Sequence, residues 1–197
     1  MLLNMQKLAI MEAFLRNYTK AVTGSQIARE KKLNQKTVSN YLKKLEAQGT
    51  LKSTTEGKNL LYSLNIEDNL TIVHLLSLLE NLKTVKFLRQ KPFIKEVLTK
   101  AKAHCQGIVA VFGSYAKGTE KEDSDLDLLI IGKCNRQAIR RMSETYRLDI
   151  SIKAYPEIPK KPDTLLVEVI KDHILISGTQ EFIEKVLQWK KSSGVLA

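Results

Sequence analysis

Cysteine and long apolar runs are both scarce in this chain of 197 residues. Its two cysteines, Cys105 and Cys134, stand far apart and lack the spacing of metal ligands, so we interpret them as ordinary reduced thiols. No uncharged apolar stretch reaches the length of a membrane-spanning helix, and the first residues lack the pattern of a secretory signal. We therefore expect a soluble, cytoplasmic protein that does not associate with membranes.

Acidic residues are also few relative to basic ones. The chain carries 32 Lys and Arg against 21 Asp and Glu, which gives a formal net charge of +11. Residues 1–66 hold eleven of the basic residues and four of the acidic ones, so this first third carries +7 of the excess. The excess indicates an anionic partner, and its uneven placement indicates two modules with different partners.

Residues 1–66 read as three helices followed by a β-hairpin. Apolar residues recur with helical spacing from Leu2 to Leu15, which predicts a first helix that ends near Asn17 and Tyr18. A short helix and a longer one that stops at Gly49 follow, and then two β-prone pieces enclose a polar loop. The predicted elements are helices over Gln26–Lys31 and Gln35–Gln48, strands over Thr50–Ser53 and Leu60–Leu64, and a loop over Thr55–Asn59.

This order, together with the segment TGSQIAREKKLNQKTVSNYLKKLEAQGTLKS, resembles the winged helix-turn-helix repressors of bacteria and archaea. The resemblance implies that double-stranded DNA is a partner and that the protein regulates transcription. The longer helix would face a major groove, and lysines of the hairpin would contact backbone phosphate. The predicted DNA-binding residues are Gln35, Lys36, Thr37, Ser39, Asn40, Lys43, Lys44, Lys52 and Lys58. The alternative is a trihelical protein-interaction module with a solvated basic face.

A long helix is predicted between the two modules. Asp68 can cap it, and it runs to about Gln90 with apolar residues on several sides, which is typical of a buried helix. Two readings stay open. The helix packs within the chain, or it pairs with a second copy to form a homodimer that meets two DNA half-sites.

The stretch from Gly113 to Ile130 carries the chemistry. A short apolar run leads into the turn Gly113-Ser114, and a second apolar run follows Asp125 and Asp127. Residues two apart in a strand point to the same face, so the two carboxylates converge and repel each other. Such a pair suits Mg²⁺, which one or two carboxylates and substrate phosphates usually hold. The glycine turn and the Ser114 hydroxyl can hold phosphate oxygens.

Gly-Ser, a gap of ten residues and then Asp-x-Asp is the motif of the nucleotidyltransferase superfamily of DNA polymerase β type, and the chain resembles its minimal members. The resemblance implies that Asp125 and Asp127 hold Mg²⁺ or Mn²⁺ and that Gly113 and Ser114 grip a nucleoside triphosphate, for which ATP is the expectation. It also implies a third carboxylate from a neighbouring strand. Asp149 fits that role because it alternates with apolar residues, and it is the expected base for the acceptor hydroxyl. Lys117 stands where family members often carry Arg, and we expect it to contact phosphate.

The sequence thus predicts an α+β protein of two domains. A winged-helix domain, all-α with a small β wing, occupies 1–66, a connecting helix 67–91, and a mixed-sheet α/β nucleotidyltransferase domain 92–191. The predicted function is Mg²⁺-dependent transfer of a nucleoside monophosphate to an acceptor, by a protein that also regulates transcription. Relatives in the family imply a protein acceptor encoded nearby, as in toxin–antitoxin pairs. The alternative is a non-catalytic regulator whose second domain senses nucleotide or binds a partner.

Overall fold

A computed structural model describes residues 5–16, 18 and 20–193. Within these residues the chain forms nine helices and seven strands in two sheets, so the expected α+β class is confirmed at this level. The fold divides into two compact units. One runs up to Leu79 and includes the chain from Lys190 onward, and the other is Glu80–Trp189. No helix in the described part of the chain combines the length and the apolar character needed to cross a membrane.

The first unit contains three helices and a small antiparallel sheet. Side-chain caps begin two of the helices: Thr23 Oγ1 accepts from the Gln26 N–H, and Asn34 Oδ1 accepts from the N–H groups of Lys36 and Thr37. The strands are ordered β1-β3-β2. The elements are α1 (Met5–Glu12), β1 (Val22–Thr23), α2 (Gly24–Lys31), α3 (Gln35–Ala47), β2 (Leu51–Glu56) and β3 (Asn59–Leu64).

Two sequence-based boundaries in this unit differ from the structure. Helix α1 ends at Glu12, and the residues after it form turns closed by bonds such as Phe14 N–H to the Met11 carbonyl (3.1 Å). These turns still bury Phe14 and Leu15, so the apolar spacing continues although the helix does not. Leu2, Leu3 and Asn17 lie outside the described residues. The predicted loop over Thr55–Asn59 is shorter in the structure, because a turn at Gly57 (φ 58°) suffices to reverse the chain.

The second unit contains a four-stranded sheet with helices around it, and its first and last helices extend into the first unit. Its strands are ordered β6-β5-β4-β7, with β4 antiparallel to both β5 and β7 and with β5 parallel to β6. The elements are α4 (Asn69–Gln90), α5 (Pro92–Ala103), β4 (Cys105–Phe112), α6 (Gly113–Lys117), β5 (Leu126–Cys134), α7 (Arg136–Tyr146), β6 (Ile150–Tyr155), α8 (Thr164–Lys171), β7 (Ile174–Ser177) and α9 (Thr179–Ser193).

The register of this sheet gathers three chain segments at one end. Phe112, the last residue of β4, pairs with Asp127, and Asp127 pairs in turn with Ser151 on β6. The turn after β4, the start of β5 and the start of β6 therefore meet. The middle residues of the two central strands are apolar and buried, as in Ala110 and Leu128, so the polar groups of these segments stand at the edge of the core.

Strand β4 begins earlier than the sequence pattern indicates. The apolar spacing over Phe93–Cys105 predicts one amphipathic helix, but α5 ends at Ala103 and Cys105 already belongs to the sheet. Cys105 pairs directly with Cys134 on β5. The two thiols, far apart in sequence, are thus neighbours in the fold. Helix α9 runs to Ser193, and residues 194–197 lie outside the described residues.

A buried polar pair joins α4 to the segment before β7. His173 directly precedes the edge strand β7, yet His173 and Glu80 are both fully buried. His173 Nδ1 lies 2.8 Å from the Val169 carbonyl oxygen, and its Nε2 lies 3.3 Å from Glu80 Oε1. Because a carbonyl only accepts, His173 Nδ1 donates the hydrogen bond to Val169. Lys83 Nζ lies 3.3 Å from the other Glu80 oxygen.

Candidate active site

The Asp127 carboxylate lies against the bare Cα of Gly113. Gly113 begins α6 with φ +68°, a conformation that other residues rarely adopt. A Cβ added at this position would lie 2.1 Å from Asp127 Oδ2. Both the backbone conformation and the lack of space for a Cβ therefore require glycine at position 113. The space is lacking because the Asp127 carboxylate occupies it.

The Asp127 side chain is half-buried, and nearby groups shift the pKa of its carboxyl in both directions. Burial raises the pKa of the Asp127 carboxyl, and the charge of Asp125 adds to that rise. A hydrogen bond from Ser151 and the charge of Lys153 lower the pKa and offset part of the rise. The ionised form is therefore less favourable here than in water. A bound cation would reverse this balance by supplying positive charge next to the carboxylate.

Asp125 and Asp149 complete the acidic end of the sheet. Asp125 is exposed and lies one residue before β5. Asp149 is also exposed and lies one residue before β6, and its carbonyl accepts the Leu126 N–H at 2.7 Å. Since β5 and β6 are parallel with Leu126 paired to Ile150, Asp125 and Asp149 precede the two strands side by side.

The structure brings the three predicted carboxylates to one end of the sheet without closing them into a metal-binding group. Among the described residues, no three His, Cys, Asp or Glu side chains are grouped so that they could hold a metal ion. The donor set that fits a metal is the pair Asp125 and Asp127, whose oxygens and mutual repulsion suit a hard divalent cation. Asp149 as a third ligand stays a prediction.

The predicted phosphate-binding residues surround the turn. Ser114 is half-exposed within the five-residue helix α6, and its carbonyl accepts the Thr119 N–H at 3.0 Å. Lys117 is exposed and its charge reaches Glu168 on α8, whose pKa is lowered mainly by Lys171 and to a lesser degree by Lys117. To contact a phosphate, the Lys117 ammonium would give up only this weak attraction to Glu168.

Sequence reasoning missed two kinds of residue at the site. Ser151 and Lys153 follow Asp149 at alternate positions of β6 and act on Asp127, and the alternation of that strand was a signal that could have found them. Lys91 is ion-paired with Glu120 in the loop before Asp125, and its ammonium lies 5.8 Å from the ring centroid of Tyr115. No sequence signal marks the contacts of Lys91 with Glu120 and Tyr115.

The predicted DNA-binding residues lie on α3 and on the β2–β3 hairpin of the first unit. Most of them are exposed, whereas Ser39 is half-exposed. Lys52 is exposed but engaged, since its Nζ lies 2.7 Å from Glu67 Oε1. The exposed members are Gln35, Lys36, Thr37, Asn40, Lys43, Lys44, Lys52 and Lys58.

A mixed sheet that presents paired carboxylates beside a glycine turn is suited to metal-assisted group transfer. Comparison with protein families narrows this class. Residues 79–191 match the family model described as a nucleotidyltransferase domain, and these residues make up more than half of the chain. The chain therefore belongs to the nucleotidyltransferase domain family. The matched range nearly coincides with the compact unit Glu80–Trp189. Comparisons with curated proteins and with solved structures returned no match.

Proposed function

We propose that the protein transfers a nucleoside monophosphate from a nucleoside triphosphate, with ATP as the expected donor, to an acceptor hydroxyl. The observation that carries the proposal is the Asp127 carboxylate, half-buried beside Asp125 and seated in the space that Gly113 leaves open. A solvated acidic hairpin would not hold a carboxylate where burial and a like charge both disfavour it. Within a nucleotidyltransferase domain, this placement has a functional reason.

The site residues divide the work as follows. Gly113 and Ser114 hold the triphosphate, and Lys117 adds positive charge beside it. Asp125 and Asp127 hold Mg²⁺ or Mn²⁺, which when bound neutralises charge on the phosphates and acidifies the acceptor hydroxyl. Ser151 fixes the orientation of Asp127 through its hydrogen bond.

Asp149 is the proposed base. It takes the proton of the acceptor hydroxyl while the acceptor oxygen attacks the α-phosphorus and pyrophosphate leaves. Its position supports this role, because its exposed side chain begins the strand next to Asp125 at the open end of the sheet. A protein encoded nearby is the proposed acceptor.

Labelled nucleotides test the transfer. The full chain is incubated with each of the four labelled triphosphates and Mg²⁺, with and without the product of the neighbouring gene, and label on protein is measured. We expect label that disappears in Asp125→Ala and Asp127→Ala and persists in Asp123→Ala, an exposed carboxylate of the same loop. Transfer that survives both of the first two substitutions contradicts the proposal. Mg²⁺-dependent nucleotide binding without transfer favours the alternative, a regulator that senses nucleotide.

We further propose that the first unit binds double-stranded DNA and regulates transcription. The supporting observation is the polar, exposed face of α3, which follows the Asn34 cap and is followed in turn by a hairpin with an exposed Lys58. A helix with such a face fits a major groove, and a basic hairpin fits the adjacent phosphates.

Binding to the promoter of its own gene tests this second proposal. Each of Lys36→Ala and Lys43→Ala should weaken binding and reduce the slope of log affinity against log salt by about 1. Lys52→Ala is the matched control, because Glu67 already neutralises that ammonium, and we expect a smaller effect. Affinity that changes neither with salt nor with the first two substitutions contradicts DNA binding.

A homodimer is part of the same proposal. Helix α4 exposes Leu70 (70%), Leu78 (43%) and Val85 (44%), which are apolar side chains that a second copy could cover. Leu78→Asp should then convert the dimer to a monomer in sedimentation equilibrium. A wild-type chain that sediments as a monomer at high concentration contradicts it.

A further inference from the structure

Cys105 and Cys134 face each other across two strands. They form the first pair of the β4–β5 ladder. The Asn135 N–H donates to the His104 carbonyl at 2.9 Å, so the neighbouring pair of residues is a hydrogen-bonded one. Hydrogen-bonded and non-hydrogen-bonded pairs alternate in an antiparallel ladder, which places the cysteines at a non-hydrogen-bonded position. Side chains approach each other most closely at such positions.

This position satisfies the reach of a disulfide. Cα atoms of a non-hydrogen-bonded pair stand about 4.5 Å apart, and disulfides bridge Cα atoms from about 4.4 to 6.8 Å apart. The position therefore permits an internal disulfide without a large movement of the backbone.

The cysteines are also accessible. Both thiols are half-exposed, and the core of the hairpin begins three residues further along, with the buried pair Ile108 and Ile131. On the face of the sheet that carries the cysteines, the next pair is Gly107 and Gly132, which presents no side chain. A small thiol reagent can thus approach this end of the hairpin from solvent.

Burial lowers the reactivity of one of the two thiols. It raises the pKa of the Cys105 thiol to about 11, and the charge of Cys134 adds to that rise. Since the thiolate is the reactive form, the rise slows the attack of Cys105 on an oxidant.

We propose that Cys105 and Cys134 are a redox modification site that forms a reversible intramolecular disulfide with a low-molecular-weight disulfide, such as oxidised glutathione, as the oxidant. One of the two thiolates attacks one sulfur of the oxidant, forms a mixed disulfide and releases one glutathione thiolate. The other cysteine then loses its proton and attacks the cysteine sulfur of the mixed disulfide, which forms the internal bond and releases the second glutathione thiolate. The protein is oxidised by two electrons, and the reagent is reduced to two thiols.

The bond would join β4 to β5 at the end remote from the candidate active site. Phe112 follows Cys105 by seven residue steps along β4, roughly 24 Å at 3.4 Å per step. Its effect is therefore expected on the stability of the sheet and not on the chemistry at Asp127. The inference does not depend on the proposed function.

A glutathione titration of the full chain tests the site. The protein is equilibrated with mixtures of reduced and oxidised glutathione, acid-quenched, alkylated and weighed by mass spectrometry. We expect a monomer that is two hydrogen atoms lighter and carries no alkyl group, with a urea midpoint above that of the reduced protein. Cys105→Ser and Cys134→Ser should instead each accumulate a stable mixed disulfide at the remaining thiol. Neither variant should show the shift in midpoint.

Three results of the glutathione titration would overturn the inference. They are two free thiols at every mixture, mixed disulfides at both cysteines of the wild-type chain without an internal bond, and disulfide-linked dimers in place of the monomer. Dithiothreitol must restore both thiols and the original midpoint, and a shift that persists after reduction also contradicts it.

Discussion

Replacing Gly113 by alanine tests whether the glycine exists to seat Asp127. The new Cβ would lie 2.1 Å from Asp127 Oδ2, and ordinary contact begins at 3.4 Å, so the carboxylate must shift by about 1.3 Å. A displacement of about 1 Å at a catalytic group can lower the rate about 100-fold. We therefore expect Gly113→Ala to lose about two orders of magnitude in transfer rate, and to bind Mg²⁺ more weakly by calorimetry.

Gly118, which directly follows the last residue of α6, supplies a matched control. It has the same φ, +68°, but nothing lies within 4 Å of a Cβ added there. Both alanine variants therefore strain the backbone by about 1–2 kcal/mol, and only one displaces the carboxylate. Urea unfolding should show similar losses of stability, whereas metal affinity and transfer should fall only in Gly113→Ala. Equal metal affinity and equal transfer in the two variants would refute the steric argument.

Two further predictions concern the stability of the second unit. Asp163 caps α8 by accepting the Leu166 N–H at 2.9 Å and accepts the Tyr155 hydroxyl at 2.6 Å, so Asp163→Ala should lower the free energy of unfolding by about 2 kcal/mol. The hydrogen bond from Tyr155 is the largest cause that lowers the pKa of the Asp163 carboxyl. The stabilisation is therefore complete above the carboxyl pKa of the unfolded chain and is lost as the pH falls through the lowered pKa of the folded chain. The free energies of unfolding of the variant and the wild type should therefore converge in acid. His173→Ala leaves the buried Glu80 without one partner and should cost about 3–5 kcal/mol in urea unfolding, with a strongly non-additive effect when combined with Glu80→Ala. Divergence in acid, or additive losses, would contradict the respective arguments.

The motif at the candidate site could be read from the sequence because its geometry is local. Strand alternation alone puts Asp125 and Asp127 on one face, and the glycine turn stands directly after an apolar strand. The α+β class and most helix positions follow from the same kind of short-range pattern. Asp149 was accessible in this way too, since it precedes a strand with alternating apolar residues.

Contacts across the sheet could not be predicted in this way. Glu80 meets His173 and Cys105 meets Cys134 only because the tertiary register brings distant segments together. Periodicity tells which face of an element is buried, but not which residue it meets there. Cys105 shows the limit clearly, because a helix boundary shifted by two residues hides a cross-strand pair.

The placement of Asp127 sets the functional reading apart from a purely structural one. A structural role would favour a carboxylate that is solvated or paired with a cationic side chain, yet this one is half-buried and next to Asp125. Ser151 and Lys153 offset only part of that penalty, because the net effect still raises its pKa. Groups held in an unfavourable state concentrate at functional sites, where a ligand relieves them. Under the proposed function, a divalent cation is the ligand whose charge would relieve both carboxylates at once.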